Sequence, residues 1–202
     1  MGFSRAELES YRGRGVDDLM PEHPKLVFVG INPGLWTAAT GTHFAHPGNR
    51  FYPALAAAGI IPRVPEFATG LSDADRRVFL EAGIGISNLV HRATARADEL
   101  EREELREGAA RLADDVARWQ PRVVAVVGLT AYRHGFDRPR ARSGRQEERL
   151  GGAELWVVPN PSGLNAHATV ADLARAYAEP ALAAGIELSP PAPAPSPRPR
   201  RG

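Results

Sequence analysis

Three asparagines stand where a sequence of this kind would be expected to place hydrophobic or turn-closing residues: Asn32 in Gly30-Ile31-Asn32-Pro33-Gly34, Asn88 in Ile86-Ser87-Asn88, and Asn160 in Asn160-Pro161-Ser162-Gly163-Leu164. Each follows a short β-favouring run, Leu26 to Val29, Gly83 to Ser87 and Leu155 to Val158. An amide side chain has no strand preference and nothing to pack, but it carries both a donor and an acceptor. Three of them at strand ends imply a polar pocket for a neutral ligand that both donates and accepts hydrogen bonds, as a nucleobase does. The first turn is stiff, because Pro33 fixes its own φ and restricts Asn32, while Gly34 tolerates a positive φ. A carboxylate is missing from these motifs, so chemistry here would rest on positioning and on stabilising a leaving group rather than on a strong general base.

The elements that must hold these residues are readable from pattern. Leu26 to Val29 and Val123 to Val127 are continuous apolar runs ended by Gly30 and Gly128, the signature of strands buried on both faces. Between the strands lie helix signals: Ser72 capping Asp73 to Ala82, an amphipathic stretch from Glu99 to Trp119 stopped by Pro121, Thr130 to His134, and Thr169-Val170-Ala171-Asp172 opening a last helix to about Ala184. Asn49 is a plausible cap for a helix to about Ala58, and Leu35 to Gly48 reads as a long loop. Alternating strands and helices predict a three-layer α/β/α domain with a central four-stranded parallel sheet, and right-handed crossovers put all four strand ends on one edge, where open sheets of this kind bind ligands.

The chain has 202 residues, 43% of them hydrophobic, which suits one domain with a full core. Residues 1–24, with the capping box Ser4-Arg5-Ala6-Glu7 and a helix to about Arg12, read as an N-terminal helical lid; 25–188 form the main domain. Residues 189–202, six of them proline, read as a disordered Pro/Arg-rich tail. Cysteine is absent, which excludes disulfides, thiolate nucleophiles and Cys-ligated metals. No leader or membrane-length apolar run is visible, so a cytoplasmic protein, without membrane association, is expected. The formal charge of +1 includes Arg198, Arg200 and Arg201 of the tail, which leaves residues 1–188 at −2. Any binding to nucleic acid must therefore come from local patches. Arg138, Arg140, Arg142 and Arg145 form one such basic stretch, in a segment that reads as a polar loop or hairpin. The histidines, including His43, His46, His91, His134 and His167, show no metal-ligand spacing, so neither a metal nor a cofactor is expected. His43, beside Phe44, is placed at the pocket mouth, and His167, ahead of the last helix, either meets a phosphate or caps locally. Leu164, flanked by Gly163 and Asn165, either folds back on the last helix or stands out as a wedge of the kind that fills the gap left by an extruded base.

Gly30-Ile31-Asn32-Pro33-Gly34, Phe44-Ala45-His46-Pro47-Gly48-Asn49-Arg50-Phe51, Ile86 to Arg92 and Asn160 to Leu164, in that order and spacing, resemble the mismatch-specific uracil-DNA glycosylase and thymine-DNA glycosylase family of the uracil-DNA glycosylase superfamily. The similarity spans roughly Val16 to Ala184. It implies a monofunctional glycosylase that hydrolyses the N-glycosidic bond of uracil, or of thymine or modified pyrimidines, opposite guanine, and leaves an abasic site. By the same resemblance Asn32 positions the attacking water, Phe44 stacks on the flipped base, Thr37 lies near its C5 edge and Asn88 belongs to the pocket; Gly30, Ile31, His43 and Asn160 are expected, from their places beside these residues and at the strand ends, to complete the base pocket. Position 88 is lysine in the enteric bacterial members and asparagine, as here, in the animal thymine glycosylases. Gly163 and Leu164 match the loop that enters the duplex, with Leu164 as wedge and the backbone at Asn165 reading the widowed guanine; Ser162 and His167 are expected beside them as DNA contacts, and Asn165-Ala166-His167 replaces the serine-arginine of the enteric members. The implied partner is double-stranded DNA with G·U or G·T mismatches, met by a monomer in the cytoplasm at the nucleoid. Two other functions use the same crevice: a non-catalytic module that binds uracil-DNA or abasic sites, and a hydrolase of free nucleotides that has no need of Leu164.

Overall fold

The computed structural model describes residues 2–163 and 168–189. Five strands form one sheet: β1 (Leu26–Gly30), β2 (Ile84–Asn88), β3 (Val123–Val127), β4 (Gly144–Leu150) and β5 (Ala153–Val158), in the order β2-β1-β3-β5-β4. β1, β2, β3 and β5 run parallel, with Gly30 level with Asn88 and Val127 with Val158. The expected four-stranded parallel sheet is therefore present and gains a fifth strand. β4, within the segment read as a polar loop or hairpin, pairs antiparallel with β5 at the sheet's edge. Its residues, Gly-Arg-Gln-Glu-Glu-Arg-Leu, have no apolar alternation because all of them but Leu150 are at least partly exposed, so neither face calls for apolar side chains.

Among the described residues seven α-helices accompany the sheet: α1 (Arg5–Glu9), α2 (Leu35–Thr40), α3 (Phe51–Ala57), α4 (Asp73–Ala82), α5 (Arg102–Trp119), α6 (Leu129–Gly135) and α7 (Val170–Ala183). Successive strand residues point to opposite faces. Leu26, Phe28, Ile84, Ile86, Val123 and Ala125 accordingly pack with Phe51, Leu55, Phe79, Leu173 and Tyr177 of α3, α4 and α7. Val27, Val29, Val124, Val126 and Val157 pack with Leu105, Leu112, Val116 and Tyr132 of α5 and α6. Every residue of β1, β2 and β3 is buried, which is why β1 and β3 are apolar without alternation, while β2 ends in the buried polar pair Ser87 and Asn88.

Two local differences bear on the site. The stretch after the first turn is not all loop, since Leu35–Thr40 forms α2 with Gly34 as its N-cap at φ −74°, so the turn needs no left-handed glycine there. α1 ends at Glu9, short of Arg12; beyond it Leu19 exchanges backbone hydrogen bonds of 3.0 and 2.7 Å with Ile86 on the outer edge of β2. No helix among the described residues is long and apolar enough to cross a membrane.

Candidate active site

The parallel strands end at one edge, and the residues that follow them enclose a cleft of about 180 Å³ lined by Ile31, Asn32, Thr37, Phe44, Asn88, Thr94, Asn160 and Ser162, among others. Sequence-separated residues thus converge because four parallel strands stop together.

Asn32 is held from the nitrogen end. Its Nδ2 donates to Pro33 O at 3.1 Å, Arg92 O at 3.0 Å and Thr94 Oγ1 at 2.8 Å. Two of these partners are carbonyls, which only accept, and Thr94 gives its own hydroxyl proton to Arg96 O at 2.8 Å. The amide can therefore face only one way, with Nδ2 toward Thr94 and Oδ1 as the acceptor end. The backbone joins in: Thr94 N donates to Pro33 O at 3.1 Å and Gly34 bridges to Thr94 in parallel.

Asn88 is fixed by a different logic. His43 Nε2 lies 3.1 Å from Asp17 O, an acceptor, so Nε2 carries the proton and Nδ1 accepts from Asn88 Nδ2 at 3.0 Å. Burial penalises the imidazolium and pushes His43 down to about 4, which keeps this tautomer neutral across the physiological range. His43 is thus packed behind Asn88, 4% exposed, and not at the pocket mouth. The exposed ring at that rim is His46, which accepts at Nδ1 from Gly48 N at 3.0 Å.

Gly30 allows the close approach that seats Asn88, because a Cβ there would sit 2.5 Å from Asn88 Oδ1 and 3.2 Å from Phe44 Cζ. Phe44 adopts φ 56°, a left-handed conformation that costs a side-chain-bearing residue about 1–2 kcal/mol. One face of its ring stacks on Phe51 at 4.0 Å between centroids and 23° between planes, which leaves the other face as a wall of the cleft. Thr37, buried on α2, adds a hydroxyl to the lining. Asn160 shapes its own loop, its Oδ1 accepting from Ser162 N at 2.9 Å. Gly163 runs so close to Gly48 that a Cβ would meet Gly48 O at 2.9 Å. Leu164, Asn165 and His167 lie outside the described residues.

Two residues that sequence reasoning missed organise this ensemble. Thr94 follows the Ile86 to Arg92 motif with no signal of its own, since a lone threonine in a loop is unremarked. Arg50 lies within the Phe44 to Phe51 motif, where a lone arginine among aromatic and turn residues is the available signal. Its Nη2 donates to Ser162 O at 2.6 Å, its Nη1 to Ala168 O, and its backbone N to Pro161 O at 3.0 Å, so it clips both ends of the segment that contains Leu164.

A sequence profile of the uracil DNA glycosylase superfamily matches residues 17–181, which takes in every strand and all the helices but α1 and part of α7. The chain belongs to that superfamily. Its members are DNA glycosylases, hydrolases of DNA repair that detach a base from its sugar. The fold of this superfamily member is similar to the solution NMR structure of a candidate uracil DNA glycosylase from Methanosarcina acetivorans, with a TM-score of 0.56 and 16% identity over 86% of this chain and 98% of that one. The cleft of this glycosylase-superfamily chain has amides, hydroxyls, the His46 ring and the Arg96 side chain in its described lining and no carboxylate.

Proposed function

We propose that this chain excises uracil from G·U mismatches in double-stranded DNA, and thymine or modified pyrimidines to the extent that Thr37 leaves room for a C5 substituent, and that it leaves an abasic site. The observation that carries the reading is the pair of oriented amides, Asn32 held by Thr94 and Asn88 held by His43, that line one cleft together with the Phe44 ring. Asn88 offers an acceptor and its second N–H, the complement of uracil's N3–H and adjacent carbonyl. Phe44 stacks on the extruded base.

Asn32 Oδ1 accepts a hydrogen bond from a water and so aims that water's lone pair at C1′. The C1′–N1 bond breaks with its electron pair leaving on uracil, whose charge spreads to the carbonyl oxygens and is met by N–H donors; the water's oxygen bonds to C1′ and its proton passes to solvent or to the departing base. With no carboxylate to take that proton, the acceleration comes from placing the water and stabilising the anion, and turnover is modest. Leu164 fills the space that the base vacates.

The test is a substrate panel of G·U, A·U, G·T and single-stranded uracil, followed by alkaline cleavage at abasic sites. Scission of G·U is expected to lead the series. Absence of scission on every uracil substrate would defeat the proposal, and equal rates for G·U and A·U would defeat its mismatch preference. Leu164→Ala should lose more activity on duplex than on single strands.

A further inference from the structure

The stretch Arg138 to Arg145 takes no part in the cleft, yet topology brings it alongside. β4 runs antiparallel to β5, pairing Gly144 with Val157 and Arg145 with Trp156, so β4 begins where β5 ends. The approach to β4 therefore stands at the same sheet edge as Asn32, Asn88 and Asn160. Its backbone is tied down: Arg133 Nε and Nη2 donate to Ala141 O at 3.0 and 2.7 Å, and Gln146 Nε2 donates to Arg142 O at 2.9 Å and Gly144 O at 2.8 Å. Two of the four guanidiniums are neutralised, Arg138 by Glu148 at 3.1 Å and Arg145 by Glu154 at 3.2 Å. Arg140 and Arg142 are exposed and form no ion pair among the described residues. They border a hollow of about 550 Å³. Two unneutralised guanidiniums on a fixed loop, in a domain whose bulk charge is negative, are a local attraction for phosphate.

We infer that Arg140 and Arg142 contact the phosphate backbone of the duplex to one side of the extruded nucleotide. The inference rests on the proposed function and adds to it a defined position on the DNA. In the order β2-β1-β3-β5-β4, three strand spacings separate β1 from β4, or about 14 Å. DNA rises about 3.4 Å per nucleotide, so the two arginines meet phosphates about four nucleotides from the base in the cleft.

The experiment measures equilibrium binding of the full chain to duplexes with a tetrahydrofuran abasic-site analogue opposite guanine, across a range of sodium chloride concentrations. One duplex extends about ten base pairs on either side of the analogue, and a hairpin-closed one about three. Each phosphate contact contributes about 0.9 to the slope of log affinity against log salt. Arg140→Ala/Arg142→Ala should therefore lower the slope by about 1.8 on the long duplex, leave it unaltered on the short one, and be rescued by Arg140→Lys/Arg142→Lys. Arg118→Ala/Arg122→Ala removes the same charge beside the start of β3, at the opposite edge of the sheet, and should leave the slope alone. An unchanged slope in the first variant on the long duplex, or an equal fall in the second, overturns the inference. Uracil release by the unaltered chain from a G·U duplex is scored separately, so that loss of this contact and loss of the glycosylase reading are told apart.

Discussion

At the scale of single residues, the site is organised by what its amides donate to. An aspartate at position 32 would be an obvious general base, yet the surroundings oppose it. The place now filled by Nδ2 is ringed by Pro33 O, Arg92 O and the Thr94 hydroxyl, whose proton is committed to Arg96 O. A carboxylate there faces lone pairs, so its folded-state pKa should lie above the unfolded value of about 3.9. Folded Asn32→Asp then binds more protons than the unfolded chain, and its stability relative to the parent falls as pH rises from about 4 until the group ionises, by a total of about 1–3 kcal/mol. Denaturant titrations at successive pH values check this, and activity should drop rather than rise. His43 has the opposite sign. With its pKa depressed to about 4 by burial, folded His43 binds fewer protons than the unfolded residue between about 4 and 6.5, so stability increases with pH across that window by up to about 1.4 kcal/mol per pH unit. Protonation at Nδ1 also removes the acceptor for Asn88, so uracil excision should fall on the acid side and stay level above neutrality with respect to this group. His43→Gln should flatten the stability profile between about pH 4 and 6.5. The asparagines were legible because an amide at a strand end has no packing reason to be there. Thr94 was not, because its importance lies in a hydrogen bond across 62 residues of chain.

At the scale of elements, burial decided what could be read. β1 and β3 announced themselves as unbroken apolar runs and Ser72 and Thr169 cap α4 and α7 as their sequences indicate. α2 was hidden because six residues with a glycine cap show less than two turns of periodicity, and β4 because every residue but Leu150 is at least partly exposed. One helix position reverses the usual propensity rule. Gly108, inside α5, would ordinarily gain about 1 kcal/mol on replacement by alanine. Here an added Cβ would lie 2.2 Å from Leu89 O and 2.8 Å from Leu89 C, backbone atoms that follow Asn88 directly. Gly108→Ala should instead destabilise the fold by about 1–3 kcal/mol and lower excision by shifting Asn88, as measured by chemical denaturation beside kcat/KM on a G·U duplex. A neutral or stabilising result would mean that α5 can slide away from β2 without disturbing the cleft.

At the scale of the whole molecule, the site divides into a half built on the sheet and a half carried by the loop after β5, joined through Arg50. The sheet half, Asn32, Phe44 and Asn88, is fixed by buried strands and by the stack on Phe51, and it contains the groups assigned to the base and the water. The other half, described at 160–163 and at Ala168, brings Asn160 to the cleft and brackets the residues proposed to meet the duplex, and Arg50 holds it by Ser162 O and Ala168 O on either side of Leu164. A single-stranded uracil needs the first half and Asn160 but not the bracketed segment, since it has no stack to fill and no partner base to leave behind. Arg50→Ala should therefore lower kcat/KM on duplex G·U by at least about ten-fold more than on single-stranded uracil, and Arg50→Lys should rescue little, because a point-like ammonium does not span two carbonyls as the guanidinium fork does. Thermal unfolding of both variants separates this from a general loss of fold. Equal losses on the two substrates, with unfolding temperatures unchanged, would show that Arg50 serves the chemistry itself and that the two halves are not separable.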